Sequence, residues 1–268
     1  MICSRPLEDI IELTIYSAYV KKEKPVSLLI IAKPETGKTT SMKKFMKNKG
    51  LAFLTDVTAY GIQRDLLSLI EKGDVRHILI PDLIKPLSRK GSTVSNFISF
   101  INALVEEGVV SISTYADRRT FEIPVRCGII AAVIKEDLES KLDYWGTIGF
   151  MSRFIPFSYN YSIDVVQKIF EYIIKGKYKD EEFIKLKNLR DREVLISPHL
   201  AEKLIPIAQE IGRKQKIFGF RALRDLKVLA QASALERGKP RVCLYDINRI
   251  IKLSRWMNLD YNMLTEDV

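Results

Sequence analysis

Residues 27–40 read SLLIIAKPETGKTT, and the organisation of the chain can be worked outward from them. Ser27–Ala32 is a short, unbroken apolar run, the pattern of a strand buried on both faces of a parallel sheet. A polar turn with Gly37 follows, then a Lys-rich helix to about Lys47. Ala32–Thr39, AKPETGKT, matches the phosphate-loop pattern G-x-x-x-x-G-K-[ST], except that Ala32 replaces the first glycine. Such a loop, here Pro34, Glu35, Thr36, Gly37, Lys38, Thr39 and Thr40, wraps phosphates with backbone N–H groups. Lys38 neutralises β/γ charge and Thr39 holds Mg²⁺. The bland alternative is a Gly-Lys-Thr turn with no ligand.

Four further runs read as strands: Ala52–Val57, His77–Pro81, Cys127–Ile134 (CGIIAAVI), again a buried apolar run, and the short Arg153–Ser158. Helical spacing appears at Leu7–Tyr19, Ile62–Lys72 and Val94–Glu107. Strands alternating with helices predict an α/β doubly wound sheet with helices on both faces, a three-layer parallel-sheet core. After Tyr161 the buried-strand runs stop. Helices are expected at Asp164–Ile174, Pro198–Ile211, Phe220–Arg237 and Asp246–Trp256, with Ser197 an N-cap before Pro198, Gly238 a stop and Asp246 a cap. An α/β domain over 1–160 and a small all-α lid over 161–268 follow from that division.

Composition narrows the class. The chain has 268 residues, 47% hydrophobic and 28% charged, a globular balance. No stretch approaches eighteen uncharged apolar residues, so no membrane span is expected. Glu8, Asp9 and Glu12 spoil any reading of the N-terminus as a signal peptide. Cys3, Cys127 and Cys243 are odd in number and far apart, which suits a reducing cytoplasm. With His77 and His199 the only histidines, a histidine-rich metal site is not expected. Lys and Arg total 43 against 33 Asp and Glu, a net charge of +10 that favours polyanionic partners.

The segment His77–Leu83, HILIPDL, supplies a second site signal. In phosphate-loop NTPases an apolar strand ends in an Asp that reaches Mg²⁺ through water, often followed by a Glu that activates the attacking water. Asp82 ends the strand and Leu83 stands where that Glu would be; alternatively Asp82 takes the Glu position and Pro81 the Asp position. Either way one acid is missing. An Asp that merely caps the next turn is the structural alternative.

Together these segments resemble the AAA+ ATPases, and within them the branch holding MCM helicases, MoxR chaperones and magnesium chelatases. Ala103–Ser113, ALVEEGVVSIS, resembles the place where that branch interrupts a helix with a β-hairpin. Here Val109–Tyr115 and Thr120–Val125 would pair within 109–125, with Ala116–Arg119 at the turn. Met151–Phe154, MSRF, resembles the SRF motif, and Gly219–Leu223, GFRAL, the sensor-2 start of a lid helix. No Asn or Thr ends Ile129–Ile134, where that family carries sensor 1; Lys135 is the first polar group. The resemblance covers most of residues 25–257. It implies ATP and Mg²⁺ as cofactors, with Lys38, Asp82, Arg153 and Arg221 catalytic and Thr39 and Asp82 on the metal. It also implies a homo-oligomeric ring or open ring, likened to a hexamer, in which Arg153 reaches a neighbour's γ-phosphate.

What such an ATPase would act on is a nucleic acid, as a replication or motor factor, or a protein, as in MoxR-type remodelling. A weakly hydrolysing scaffold is the third reading. Arg118 and Arg119 at the hairpin turn are the candidate nucleic-acid contacts. Against these stand plain alternatives: Arg153 paired with a surface carboxylate, Arg221 solvated on its helix, and Arg213, Lys214 and Lys216 in an exposed loop. Trp145, Phe150 and Trp256 read as packing residues. Glu106–Glu107 and Glu181–Glu182 read as solvated pairs.

Overall fold

A computed structural model describes residues 5–89, 91–113, 118–176, 182–187, 189–260 and 262–264. In chain order the strands are β1 (Leu28–Ala32), β2 (Gly50–Phe53), β3 (Val75–Ile80), β4 (Val109–Ser113), β5 (Arg118–Val125), β6 (Gly128–Val133), β7 (Ile155–Tyr161) and β8 (Asn262–Leu264). Six of them form one sheet in the order β2-β3-β6-β1-β7-β8, every pairing parallel. β4 and β5 pair apart from it as an antiparallel hairpin. The apolar run of β1 is buried throughout because it sits inside the sheet: Leu28 lies opposite Ile130 on one side and Ile155 on the other.

Each strand's alternation divides the core in two. Leu28, Ile30 and Ala32 of β1 point into one apolar cluster and Leu29 and Ile31 into the other. The first cluster is covered by α1 (Arg5–Ser17), whose Leu7, Ile10, Ile11, Leu13 and Ile15 are all buried. α2 (Lys38–Lys43) lies on that same face, with Met42 in the first cluster beside α1. On the edges and the second face lie α3 (Ala59–Gly61), α4 (Leu67–Glu71), α5 (Ile84–Leu87), α6 (Gly91–Asn102), α7 (Lys135–Glu139) and α8 (Leu142–Thr147). A π-helical turn, Ala103–Glu107, extends α6 and ends at Gly108 (φ 87°). After β7 come α9 (Ile163–Ile174), α10 (Pro198–Glu202), α11 (Ile205–Lys214), α12 (Phe220–Glu236) and α13 (Leu244–Leu253). α12 packs along α1, and the buried faces of α11, α12 and α13 join the first cluster.

The chain is thus an α/β protein with a parallel sheet between helical layers. Several boundaries differ from the expected ones. β2 starts at Gly50 and stops before Asp56, whose carboxylate instead accepts from the Val57 N–H in a tight turn. β7 starts after Arg153, because Met151–Arg153 is one turn of 3₁₀-helix closed by Phe154 N–H on Met151 C=O. The helix expected over Pro198–Ile211 is broken in two. Pro206 has no N–H to donate, so it is placed in the first turn of a new helix, α11, rather than inside an old one. α13 starts at Leu244, two residues before the expected Asp246, with Cys243 as its N-cap; Asp246 still serves the cap from the third helical position, where its carboxylate accepts from the Cys243 N–H at 2.8 Å. β8 was not expected at all and returns the chain to the sheet beside β7. Trp145, Phe150 and Trp256 are core residues. Among the described residues no helix is long and apolar enough to cross a membrane.

Candidate functional site

The strand order reverses at β1: the chain leaves it toward β2 on one side and reaches β7 on the other. In open α/β sheets, ligands bind outside the carboxyl ends of strands at such a point. A cleft of about 930 Å³ opens there, lined by Lys33–Thr40, Pro81, Asp82, Ala132, Val133, Ile134, Asn160, Tyr161 and one flank of α9. All seven phosphate-loop residues named from the sequence face it. Glu35 (φ 62°) and Gly37 (φ 80°) both take left-handed backbone, the first of them unusual for a residue with a Cβ. Ala32 is an ordinary buried strand residue, so the missing first glycine imposes no strain.

The loop is held from outside itself. Tyr159 Oη donates to Thr36 C=O at 2.9 Å and Tyr161 Oη donates to the same oxygen at 2.6 Å. The Lys38 ammonium donates to the Ala32 and Lys33 carbonyls, both at 2.6 Å. Burial pushes Lys38 down to about 8, with Asp82 and Glu136 pulling partly back. An anion entering the cleft would meet a cation that has so far found only neutral acceptors.

Asp82 and Pro81 line the cleft, and Asp82 also accepts from the Ile84 N–H at 3.2 Å. Leu83 does not: its side chain is 1% exposed in the second apolar cluster, and its N–H donates to Ala132 C=O. Thr39 lines the cleft with Asp82, which places one hydroxyl and one carboxylate there. These are hard oxygen donors of the kind Mg²⁺ accepts when phosphates and water complete its shell. Among the described residues no cluster of three or more His, Cys, Asp or Glu could hold a metal alone. Lys135, first polar group after β6, begins α7 and pairs with Glu139 at 3.7 Å.

Arg153 and Arg221 are brought together, but outside this cleft. Arg153 stands at the amino end of β7, whereas the loop lies at the carboxyl end of β1, and those strands are parallel. Arg153 donates to Gly149 C=O and lies 3.5 Å from Glu107, with 12% of its side chain exposed and its Nε buried without a hydrogen-bond partner. Burial and the nearby Arg221 both push its pKa down. Arg221 Nη1 donates to Ser152 Oγ at 2.8 Å and its Nε lies 3.7 Å from Glu106. Glu106 is far from the solvated residue expected: Lys24 and Arg224 also bind it, at 2.8 and 2.7 Å. Burial alone would raise its pKa, but the Arg224 and Lys24 hydrogen bonds win and hold it at about 2. Its π-helical turn points it inward, which helical spacing alone could not reveal. Glu182 is exposed, while Glu181 lies outside the described residues.

Arg118 and Arg119 are not turn residues. They open β5, opposite Ser113 and Ile112, so their side chains leave on opposite faces of the hairpin. Arg118 is exposed, and Arg119 donates to Ser68 Oγ at 2.8 Å. The turn itself, 114–117, lies outside the described residues. Arg213 and Lys214 belong to the end of α11 and are paired, with Glu210 at 2.7 Å and Asp260 at 2.9 Å.

Tyr159 and Tyr161 were missed in the sequence. Their spacing of two at a strand's carboxyl end, which puts both rings on one face, was the available signal. Compared with protein-family profiles and with curated proteins, the chain has no match.

Proposed function

We propose that this chain is an ATP- and Mg²⁺-binding phosphate-loop NTPase of the AAA+ type, whose site is completed by a neighbouring copy. The observation carrying the reading is Lys38: a cation with a depressed pKa, held on two backbone carbonyls in a cleft at the sheet's switch point. Triphosphate would replace those carbonyls as its acceptor, a charge-assisted exchange. Thr39 and Asp82 would hold Mg²⁺, which supplies charge neutralisation between the β- and γ-phosphates. Arg153 and Arg221 lie beyond reach of their own cleft. As a pair they suit a neighbour's γ-phosphate, which would draw Arg153 away from Gly149 and Glu107. Both arginines, and not Arg153 alone, would therefore act between subunits.

A slow rate is favoured by a specific observation. Leu83 faces the core, so only the Pro81 and Asp82 positions can act in the cleft, and they offer one carboxylate between them. Asp82 then either orients the metal's water or activates the attacking water, without a second acid. Work on nucleic acid rests on the +10 charge and on Arg118; protein remodelling and an ATP-controlled scaffold are the competing readings. The deciding experiment measures ATP binding with and without Mg²⁺, ATPase rate with and without single- and double-stranded DNA, and mass with and without ATP. ATP binding that survives Lys38→Ala unchanged would end the reading. Stimulation by DNA would select the nucleic-acid motor.

A further inference from the structure

Residues 182–187 form neither helix nor strand, yet they are tied down along their length. The Ile184 N–H donates to Lys44 C=O at 2.9 Å. Asn48 clasps the same stretch: its amide donates to Ile184 C=O at 2.7 Å, and its oxygen accepts from the Leu186 N–H at 2.8 Å. Tyr16 Oη donates to Lys187 C=O at 2.5 Å. Burial alternates along the stretch. Ile184 and Leu186 turn into the first apolar cluster, while Phe183, Lys185 and Lys187 are exposed. The Lys47 ammonium lies 3.7 Å from the centre of the Phe183 ring.

A third basic segment joins these two through the end of α1. Tyr19 Oη donates to Lys49 C=O at 3.0 Å. The Arg192 N–H donates to Tyr19 C=O at 3.0 Å, and the Lys21 N–H to Arg192 C=O at 2.9 Å. Lys21, Lys47, Lys49, Lys185, Lys187 and Arg190 are all exposed, and among the described residues none is paired with a carboxylate. Arg192, also exposed, donates to the neutral Gly238 C=O at 2.7 Å. Of the acids around them, Asp191 is taken by Arg76, Glu193 by Lys22 and Glu8 by Lys44. Glu12, Glu23 and Glu182 remain, so cations outnumber the acids left to answer them. Side chains from three distant segments thus make one basic ridge beside the start of β2.

We infer that this ridge binds the phosphate backbone of a nucleic acid. Unpaired lysines on a fixed backbone gain from each phosphate they neutralise, because counterions are released and no internal ion pair has to break. A lipid surface would need apolar side chains to insert beside the lysines. Here Ile184 and Leu186 face the core and Phe183 lies under Lys47. Lysine ammonium groups spread along a ridge contact phosphates rather than base edges, so the binding is independent of sequence. The inference deepens the nucleic-acid reading by placing a contact away from the hairpin. It does not depend on the phosphate loop: the ridge lies by Gly50 at the amino end of β2, and the cleft lies at the carboxyl ends of the strands.

The test titrates the full chain, without ATP or Mg²⁺, against a labelled oligonucleotide over a range of salt. The oligonucleotide is single-stranded in one arm and duplex in the other. Lys185→Gln with Lys187→Gln should weaken binding by about tenfold or more. The log–log salt slope should fall by about 0.7 per lysine on a single strand, or about 0.9 on a duplex. Loss in either arm supports the inference, and the arm that shows it names the form bound. Lys141→Gln with Lys216→Gln removes the same charge from exposed positions elsewhere and should change neither quantity. All four side chains are exposed, so the melting temperature of both variants should hold. Equal losses in the two double variants would reduce the ridge to net charge and overturn the inference. Loss on Arg118→Ala with none on the Lys185 and Lys187 pair would overturn it too, and leave the nucleic-acid reading standing. Should the unaltered chain bind neither oligonucleotide, or bind only vesicles of phosphatidylserine and phosphatidylcholine, the inference and the nucleic-acid reading would fall together. ATP binding, measured separately, would be untouched by that result.

Discussion

Each end of the parallel sheet carries a cationic cluster, and the two are finished differently. At the carboxyl end Lys38 sits on neutral carbonyls. At the amino end Arg153, Arg221 and Arg224 are already answered by Glu106, Glu107 and Asp225. The first site is short of negative charge, and the second has it built in. A formal count of basic residues treats the two alike. Only the first would gain fully from an arriving polyanion; the second must break ion pairs to do so.

The largest test of that contrast is Arg153→Ala. Hydrolysis should fall by about 10³-fold or more, while ATP affinity measured by calorimetry is unchanged, because the residue belongs to the other end of the sheet. Mixing this variant with Lys38→Ala should recover part of the rate. If ATP affinity falls instead, the two ends are not separate sites.

Next in size is Leu83→Glu. An acid here cannot complete the cleft, because the side chain is packed in the core. Placing a carboxylate there should cost on the order of 3 kcal/mol or more in stability, read by chemical denaturation. Pro81→Asp faces the cleft and should fold; faster ATP hydrolysis in that variant would assign Asp82 the role of water activator. Acceleration in a stable Leu83→Glu variant would reverse the assignment.

The pH dependence of ATP binding sharpens the contrast further. Phosphate bound in the cleft would pair with protonated Lys38 and raise its pKa above the free value of about 8. Affinity should therefore be flat below that pH and fall above it, by about tenfold per pH unit. Calorimetry from pH 7 to 9.5 would show the break, and Lys38→Arg, charged throughout, should lack it.

The smallest effect belongs to the hairpin. Because Arg118 and Arg119 leave opposite faces and Arg119 is engaged by Ser68, Arg118→Ala alone should lower the log–log salt slope of DNA binding, by about 0.7–0.9. Arg119→Ala should leave it unchanged. Equal effects of the two on fluorescence-anisotropy titrations would place both on the DNA path.

The strands buried on both faces were legible because nothing but a continuous apolar run fits such a position: SLLIIA and CGIIAAVI both became inner strands. The loop after β1 was legible through Gly37, whose left-handed backbone the turn requires. Less was legible where a partner distant in sequence decides. Nothing in Asn262–Leu264 marks a strand; the free edge of β7 makes it one. Glu106 looked solvated because its partners, Lys24 and Arg224, are 82 and 118 residues away. Arg153 and Arg221 were each visible in a motif, but their meeting at the sheet's amino end was not. Pro206 was legible in principle, and it divides a helix that apolar spacing alone would have run through.

β7 joins the two ends as a strut. Arg153 precedes it by two residues, and Tyr159 and Tyr161 at its far end grip one carbonyl of the loop. An extended strand of seven residues spans about 20 Å and hardly stretches. A pull on Arg153 would therefore reach Thr36 with little loss, so an event at the amino end of the sheet would register in the loop backbone of the candidate phosphate site at the other.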